Sequence, residues 1–232
     1  MKHIKTILTS SKEIFITYIL SYVIIIIACL IYTLLGHDNL DNFISTTCSY
    51  FLLLFYILIT IYLYKKNYRQ EPALSFKNYF PLIILGISLA TFLNMIIFIL
   101  FPPLNNTTIS PLLSIISSGL IGPIYEEILF RYLLYNRLKK NYSVKKAILI
   151  TTSLFALIHL SLVKIIYAFI LGLVLNIMYE KYNNILSPIL IHIAANTIVI
   201  FLSEYNTYIL LLSIINLILS ILIYQKFKNH LV

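Results

Sequence analysis

The sequence predicts an all-α, polytopic membrane protein with about eight transmembrane helices. Of its 232 residues, 60% are hydrophobic and 11% are charged, and the mean hydropathy is +0.94. A typical soluble domain is about 45–50% apolar and about 25% charged. The composition therefore leaves little chain for domains outside a bilayer, and we expect most of the residues to lie within the membrane.

Apolar runs long enough for spanning helices recur along the whole chain. A helix needs about 20 mainly apolar residues to cross the hydrocarbon core. We predict spans at 13–35, 43–64, 80–101, 111–136, 147–163, 165–180, 185–203 and 206–225. These spans divide the chain into three N-terminal helices in 1–109, a four-helix core in 110–205, and a last helix with a short tail in 206–232.

Positive charge is distributed unevenly around these spans. With the N-terminus in the cytoplasm, 15 of the 17 Lys and Arg residues fall in inside segments, Lys164 falls outside and Arg131 falls within a helix. Cytoplasmic loops of membrane proteins are enriched in Lys and Arg. We therefore predict cytoplasmic termini, and we attribute the net charge of +9 to topology rather than to nucleic-acid binding. Abundant Ile, Lys and Asn indicate a bacterial source, and hence a bacterial cytoplasmic membrane.

Five ionisable residues and one strongly polar amide stand out within the spans of the predicted core. These are Glu126, Glu127, Arg131, His159, His192 and Asn196. Ionisable groups inside a membrane mark functional sites. Glu127 and Arg131 are four residues apart, so they share a helical face and largely neutralise each other. Glu126 points about 100° away and has no ionic partner on its own helix.

The unpaired polar residues fall at similar depths. Glu126, His159, His192 and Asn196 lie about 10–18 Å from the inner ends of their helices at 1.5 Å per residue. This predicts one shared polar cavity reached from the cytoplasm. A carboxylate there can deprotonate water, an imidazole can orient it, and an amide can stabilise an oxyanion. Alternatively, Glu126, His159 and His192 could ligate a catalytic Zn²⁺.

Three motifs in this region resemble those of the CPBP intramembrane proteases. This family includes the CAAX prenyl endopeptidases and the bacteriocin-processing or immunity (Abi) proteins. "EEILFR" at 126–131 is similar to the family's EExxxR motif, "FALIH" at 155–159 to FxxxH, and "HIAAN" at 192–196 to HxxxN. The resemblance covers about 110–200, and each motif lies in its own predicted span.

The resemblance implies that 110–205 is the catalytic core of an intramembrane endopeptidase. Glu126 would activate water, His159 would help to position it, and His192 and Asn196 would form an oxyanion hole. The substrate would be a lipidated or membrane-associated peptide, cut near the cytoplasmic face in peptide maturation or bacteriocin immunity.

The resemblance also implies supporting residues and leaves the cofactor open. Glu127 and Arg131 would organise the site. The family is named for metalloproteases, but the glutamate-dependent mechanism also favoured for it requires no metal.

Two other classes of protein are compatible with the same residues. In a small proton-coupled transporter, the buried Glu and His side chains would relay protons. Transporters often have duplicated halves with broken helices, and the sequence shows neither. A non-catalytic immunity or scaffold protein on the same fold is the third possibility, although the intact motifs favour an enzyme.

Overall fold

The computed structural model describes residues 2–36, 49–101, 111–202 and 205–229, and all regular structure in these ranges is helical. We number the helices α1 Lys2–Ser10, α2 Lys12–Leu34, α3 Ser49–Lys66, α4 Tyr79–Leu100, α5 111–139, α6 Val144–Leu157, α7 Leu162–Tyr182, α8 Leu186–Ile200 and α9 Thr207–Asn229. A short 3₁₀ turn, Phe76–Asn78, leads into α4. The predicted all-α class is confirmed.

Several of these helices have the length and apolarity of membrane spans. Within the described residues, four qualify outright: Lys12–Leu34, Phe76–Leu100, Leu112–Lys139 and Leu162–Tyr182. Two shorter apolar helices are Leu186–Ile200 and Thr207–Ser220. The molecule is therefore a polytopic membrane protein, while the count of eight spans stays a prediction. The predicted division between 109 and 110, and the predicted start of the second span at 43, lie outside the described residues.

Helix α5 is a continuous but irregular helix. Two π-helical stretches, Ile115–Ile121 and Ile128–Tyr135, flank a short α-helical piece at Gly122–Glu127. Pro123 has no N–H, so it cannot donate to the carbonyl of Ser118 five residues earlier, the partner that π geometry would require. This irregularity was not predicted, and it lies directly beside the two glutamates.

Helix α6 is shorter than the predicted fifth span at 147–163. It ends at Leu157, and the chain turns through Leu160, which has a φ of 57°. Its 14 residues reach about 21 Å, short of the hydrocarbon core of about 30 Å. His159 Nδ1 donates a hydrogen bond to the Phe155 carbonyl at 2.9 Å, and the His159 backbone N–H donates one to the Ala156 carbonyl. His159 therefore lies in a turn rather than on a helix.

Helices α4 and α8 pack very closely at Gly86. A Cβ atom at this position would lie 2.3 Å from the Ile191 carbonyl oxygen and 3.1 Å from the Ala194 Cβ. Ile191 is fully buried and immediately precedes His192. Gly86 therefore fixes how near α4 comes to the part of α8 that carries His192.

The segments 65–79, 137–146 and 181–184 carry most of the Lys and Arg residues between the predicted spans, and we call them the basic loops. The helix ends nearest the basic loops are filled by a polar network. Glu71 Oε1 accepts a hydrogen bond from the Tyr179 hydroxyl at 2.9 Å, and its Oε2 accepts one from the Ile185 N–H at 2.7 Å. The Arg69 N–H donates to the Tyr132 hydroxyl at 2.7 Å, and the Arg69 guanidinium lies 3.9 Å from the Tyr132 ring centroid. Tyr132 and Tyr179 are buried, so these contacts close this end of the bundle around α5 and α7.

We expect Gly86→Ala to destabilise the fold, because the added methyl group meets a backbone carbonyl that cannot rotate away. Overpacking of this kind costs about 1–3 kcal/mol or more. The loss should appear as a lower midpoint of thermal unfolding in detergent. Ile99→Ala on the exposed side of the same helix is the control, and it should change the midpoint little. Equal midpoints for Gly86→Ala and the unaltered protein would contradict the close packing described above.

Candidate active site

The EExxxR segment lies at the centre of α5 and directs its two glutamates differently. The side chain of Glu126 is 21% exposed and lines a cavity of about 860 Å³, whereas Glu127 is fully buried. Consecutive helical residues point about 100° apart, as the sequence predicted. Only Glu126 can therefore meet a molecule in this cavity.

Glu127 and Arg131 form the buried ion pair that the spacing predicts. Arg131 Nη1 donates to Glu127 Oε1 at 2.7 Å, and both side chains are 0% exposed. The guanidinium also lies 4.3 Å from the Phe155 ring centroid, and Nη2 approaches the Gly172 carbonyl at 3.4 Å. A Cβ at Gly172 would lie 3.0 Å from the Phe155 ring and 3.4 Å from Arg131 Nη2. The glycine thus lets α7 pack against this pair.

His192 bridges the two glutamates. Its Nδ1 lies 2.7 Å from Glu127 Oε1, and its Nε2 lies 3.6 Å from Glu126 Oε2. Because a carboxylate oxygen accepts, Nδ1 carries the proton and Nε2 faces the second carboxylate. The side chain is only 2% exposed and is not among the residues lining the cavity. The sequence did not predict this bridge, since the contact depends on how α8 packs against α5.

Asn196 lies one turn after His192 and does line the cavity. Its Nδ2 donates to the Ser118 carbonyl at 3.0 Å, the group that Pro123 leaves without a donor in the π-helical stretch. The α5 irregularity thereby fixes the orientation of the Asn196 amide. Its second N–H is available to a molecule in the cavity.

His159 reaches the same cavity from the turn after α6. The Phe155 carbonyl can only accept, so His159 Nδ1 donates to it at 2.9 Å, and in the neutral ring Nε2 keeps a lone pair. Phe155 has edge-on contacts with both imidazoles, with centroid distances of 5.2 Å to His159 and 5.7 Å to His192. Three of the four predicted catalytic residues thus share the cavity wall, and the fourth lies behind Glu126.

The predicted zinc alternative does not fit this arrangement. In the described ranges of the chain, no three His, Cys, Asp or Glu side chains form a group that could hold a metal ion. The predicted ligands, Glu126, His159 and His192, are therefore not gathered as a metal site would require.

The cavity lies in the half of the bundle opposite the basic loops, whereas the sequence predicts a cavity reached from the side that carries them. It is lined by the starts of α3, α5 and α7 and by the ends of α4 and α8. The site residues are predicted to lie about 10–18 Å deep in a hydrocarbon core of about 30 Å, which is near its mid-plane. Such depths do not determine to which side of the membrane the cavity opens. Buried tyrosines and the Glu71 network fill the other end.

Sequence reasoning also missed several polar residues of the cavity wall. Asn94 on α4 and Tyr167 on α7 line it, together with Tyr56 on α3. Asn94 is an amide within an otherwise apolar span, which is a signal that could have identified it. Tyr56 stacks on the buried Tyr125, next to Glu126 in sequence, with ring centroids 4.4 Å apart.

Comparison with known proteins matches the part of the chain that contains these residues. Residues 108–198 match the family model described as type II CAAX prenyl endopeptidase Rce1-like. A segment of 88 residues is 32% identical to the Bacillus subtilis (strain 168) protein named "Putative membrane peptidase YdiL", covering 38% of this chain and 36% of that protein. The chain thus spans about a third of the length of this curated relative. No solved structure matches the chain. The family match spans residues 108–198, which contain every predicted site residue, and together with the relative it supports the predicted resemblance to the CPBP family.

Proposed function

We propose that this protein is a membrane-embedded, glutamate-dependent endopeptidase. The observation that carries the proposal is the position of Glu126, on the wall of a large cavity that also presents His159 and Asn196. A base, a residue that orients water and an amide donor are the groups that hydrolysis of a peptide bond requires. The family model and the named relative support the same class of reaction.

In the proposed mechanism, Glu126 takes a proton from a water molecule as the water oxygen attacks the substrate carbonyl carbon. His159 Nε2 accepts a hydrogen bond from that water, since its Nδ1–H is held by Phe155. Asn196 donates its free amide N–H to the developing oxyanion. The proton on Glu126 then passes to the leaving amine as the C–N bond breaks, giving a carboxylic acid and an amine.

We assign His192 a positioning role instead of the oxyanion-hole role that the resemblance implies. It is nearly inaccessible from the cavity, and its two ring nitrogens face the two glutamates. Because its Nδ1 is fixed by Glu127, His192 lies directly behind Glu126 and would limit the orientations open to that carboxylate.

The finer biological assignments extend this proposal. We propose a lipidated or membrane-associated peptide substrate, a role in peptide maturation or bacteriocin immunity, and a location in a bacterial cytoplasmic membrane. With both termini in the cytoplasm, the cavity would face the opposite side of the membrane.

Replacing Glu126 with Gln should abolish peptide cleavage while preserving the fold. The amide keeps the shape of the carboxylate but cannot take the proton, and loss of a general base lowers kcat about 10²- to 10⁴-fold. Cleavage of a membrane-tethered peptide library by the purified protein measures this. Glu180→Gln, at the ion pair with Lys139, is the control and should cut normally. If Glu126→Gln cuts as well as the unaltered protein, the proposal is wrong. An uncut library with altered proton flux would indicate a transporter.

Arg131→Met should destabilise the protein far more than the loss of an ordinary ion pair. It leaves the Glu127 charge buried with His192 alone, which costs about 3–5 kcal/mol in free energy of unfolding. The double variant Glu127→Gln/Arg131→Met should recover part of this loss, because the stranded charge is gone. Lys139→Met breaks a half-exposed pair and should cost about 1 kcal/mol or less. Equal losses for Arg131→Met and Lys139→Met in denaturant titrations would contradict the buried pair.

Thiol labelling can measure to which side of the membrane the cavity opens. In a background carrying Cys29→Ser and Cys48→Ser, Ser161→Cys tests the cavity side and Lys145→Cys tests the basic loop. A membrane-impermeant maleimide should label the first in intact bacterial cells and the second only after permeabilisation. Labelling of Lys145→Cys in intact cells would reverse the proposed orientation.

A further inference from the structure

The N-cap residue and the first two turns of α7 present a polar strip to the cavity. Ser161, Lys164 and Tyr167 follow one another at intervals of three residues, and all three line the cavity that Glu126 lines. Residues three apart on a helix share a face. The strip therefore forms a continuous wall, and Asn94 of α4 contributes another polar group to the same cavity.

Lys164 is the one Lys or Arg among the residues lining this cavity. None of the ion pairs among the described residues includes it. It is also the single basic residue in the segments predicted to lie opposite the basic loops. A cation that stands against the prevailing charge distribution and lines this cavity can bind an anion there.

The start of α7 strengthens the positive potential around Lys164. The first backbone hydrogen bond of the helix runs from the Ile165 N–H to the Ser161 carbonyl at 2.7 Å. The N–H groups of 162–164 precede this bond, and they form the positive end of the helix dipole. The Ser161 side chain makes no capping hydrogen bond to them. A negative group that contacts Lys164 would therefore meet several donors.

We propose that Lys164 binds a carboxylate of the peptide substrate. This inference rests on the proposed peptidase function and adds the chemical class of a subsite to it. The opposite charges of Glu126 and Lys164 on one cavity wall would orient a bound peptide, since its negative group is repelled by the glutamate and attracted to the lysine. Because Lys164 shares the cavity with the proposed base, we assign the bound anion to the peptide, and a lipid headgroup is the other outcome that the test distinguishes.

The test measures peptide binding to the full chain in nanodiscs, with Glu126→Gln present so that no cleavage is required. Three fluorescent membrane-tethered peptides differ only at the C-terminus: a free carboxylate, an amide, and an amide following a terminal Glu. We expect at least one carboxylate peptide to bind about 10-fold more tightly than the plain amide. The comparison between the free C-terminus and the Glu side chain identifies which carboxylate is bound.

Lys164→Gln should remove this preference and Lys164→Arg should keep it. Lys145→Gln, an exposed lysine in the basic loop, is the matched control and should leave the preference unchanged. The proposal is overturned if Lys164→Gln retains the preference or weakens all three peptides equally. It is also overturned if Lys164→Gln weakens binding only in discs of anionic lipid, and equally for every peptide. That result would identify the ligand of Lys164 as a lipid phosphate.

The two proposals fail in different ways. Lys164-dependent binding of carboxylate peptides, without cleavage of any peptide by the chain that retains Glu126, supports the subsite and counts against the peptidase. Cleavage that requires Glu126 but is equally efficient for carboxylate and amide peptides supports the peptidase and rejects the subsite.

Discussion

The buried carboxylate of Glu127 is the group on which the arrangement of the site depends. Its Oε1 accepts from Arg131 on its own helix and from His192 on α8, each at 2.7 Å. Arg131 in turn contacts Phe155 on α6 and the Gly172 carbonyl on α7. Interactions between charges are strongest where water is excluded, and both charged side chains here are fully buried. Four helices therefore meet at this buried ion pair.

The irregular backbone of α5 gives the site its second constraint. Pro123 leaves the Ser118 carbonyl without a backbone donor, and the Asn196 amide takes that place. At the other π-helical stretch, the Asn136 side chain donates to the Arg131 carbonyl at 2.9 Å. At both π-helical stretches, a side-chain amide thus donates to a main-chain carbonyl of α5. π-helical stretches are often found at functional sites, and here they bracket the two glutamates.

The sequence predicts the parts of this molecule that depend on local geometry. The Glu127–Arg131 pair follows from a spacing of four, and the helices follow from apolar runs. The bridging role of His192 does not follow, because inter-helix packing decides what each ring nitrogen faces. The turn at His159 does not follow either, since the apolar run continues through it and the side chain bonds a carbonyl four residues earlier. Glu71, in a predicted inside loop otherwise rich in positive charge, forms a network whose partners lie more than 100 residues away.

The two adjacent glutamates have opposite requirements, and the fold meets both. A carboxylate that takes a proton from water must touch the cavity, as Glu126 does. A carboxylate that orders a guanidinium and an imidazole benefits from the exclusion of water, as Glu127 does, because unscreened hydrogen bonds to charged groups are stronger. Neighbouring helical positions diverge by about 100°, so one turn of helix can present one acid to the cavity and the other to the core. His192 then couples them, since an imidazole has two nitrogens and each faces one carboxylate.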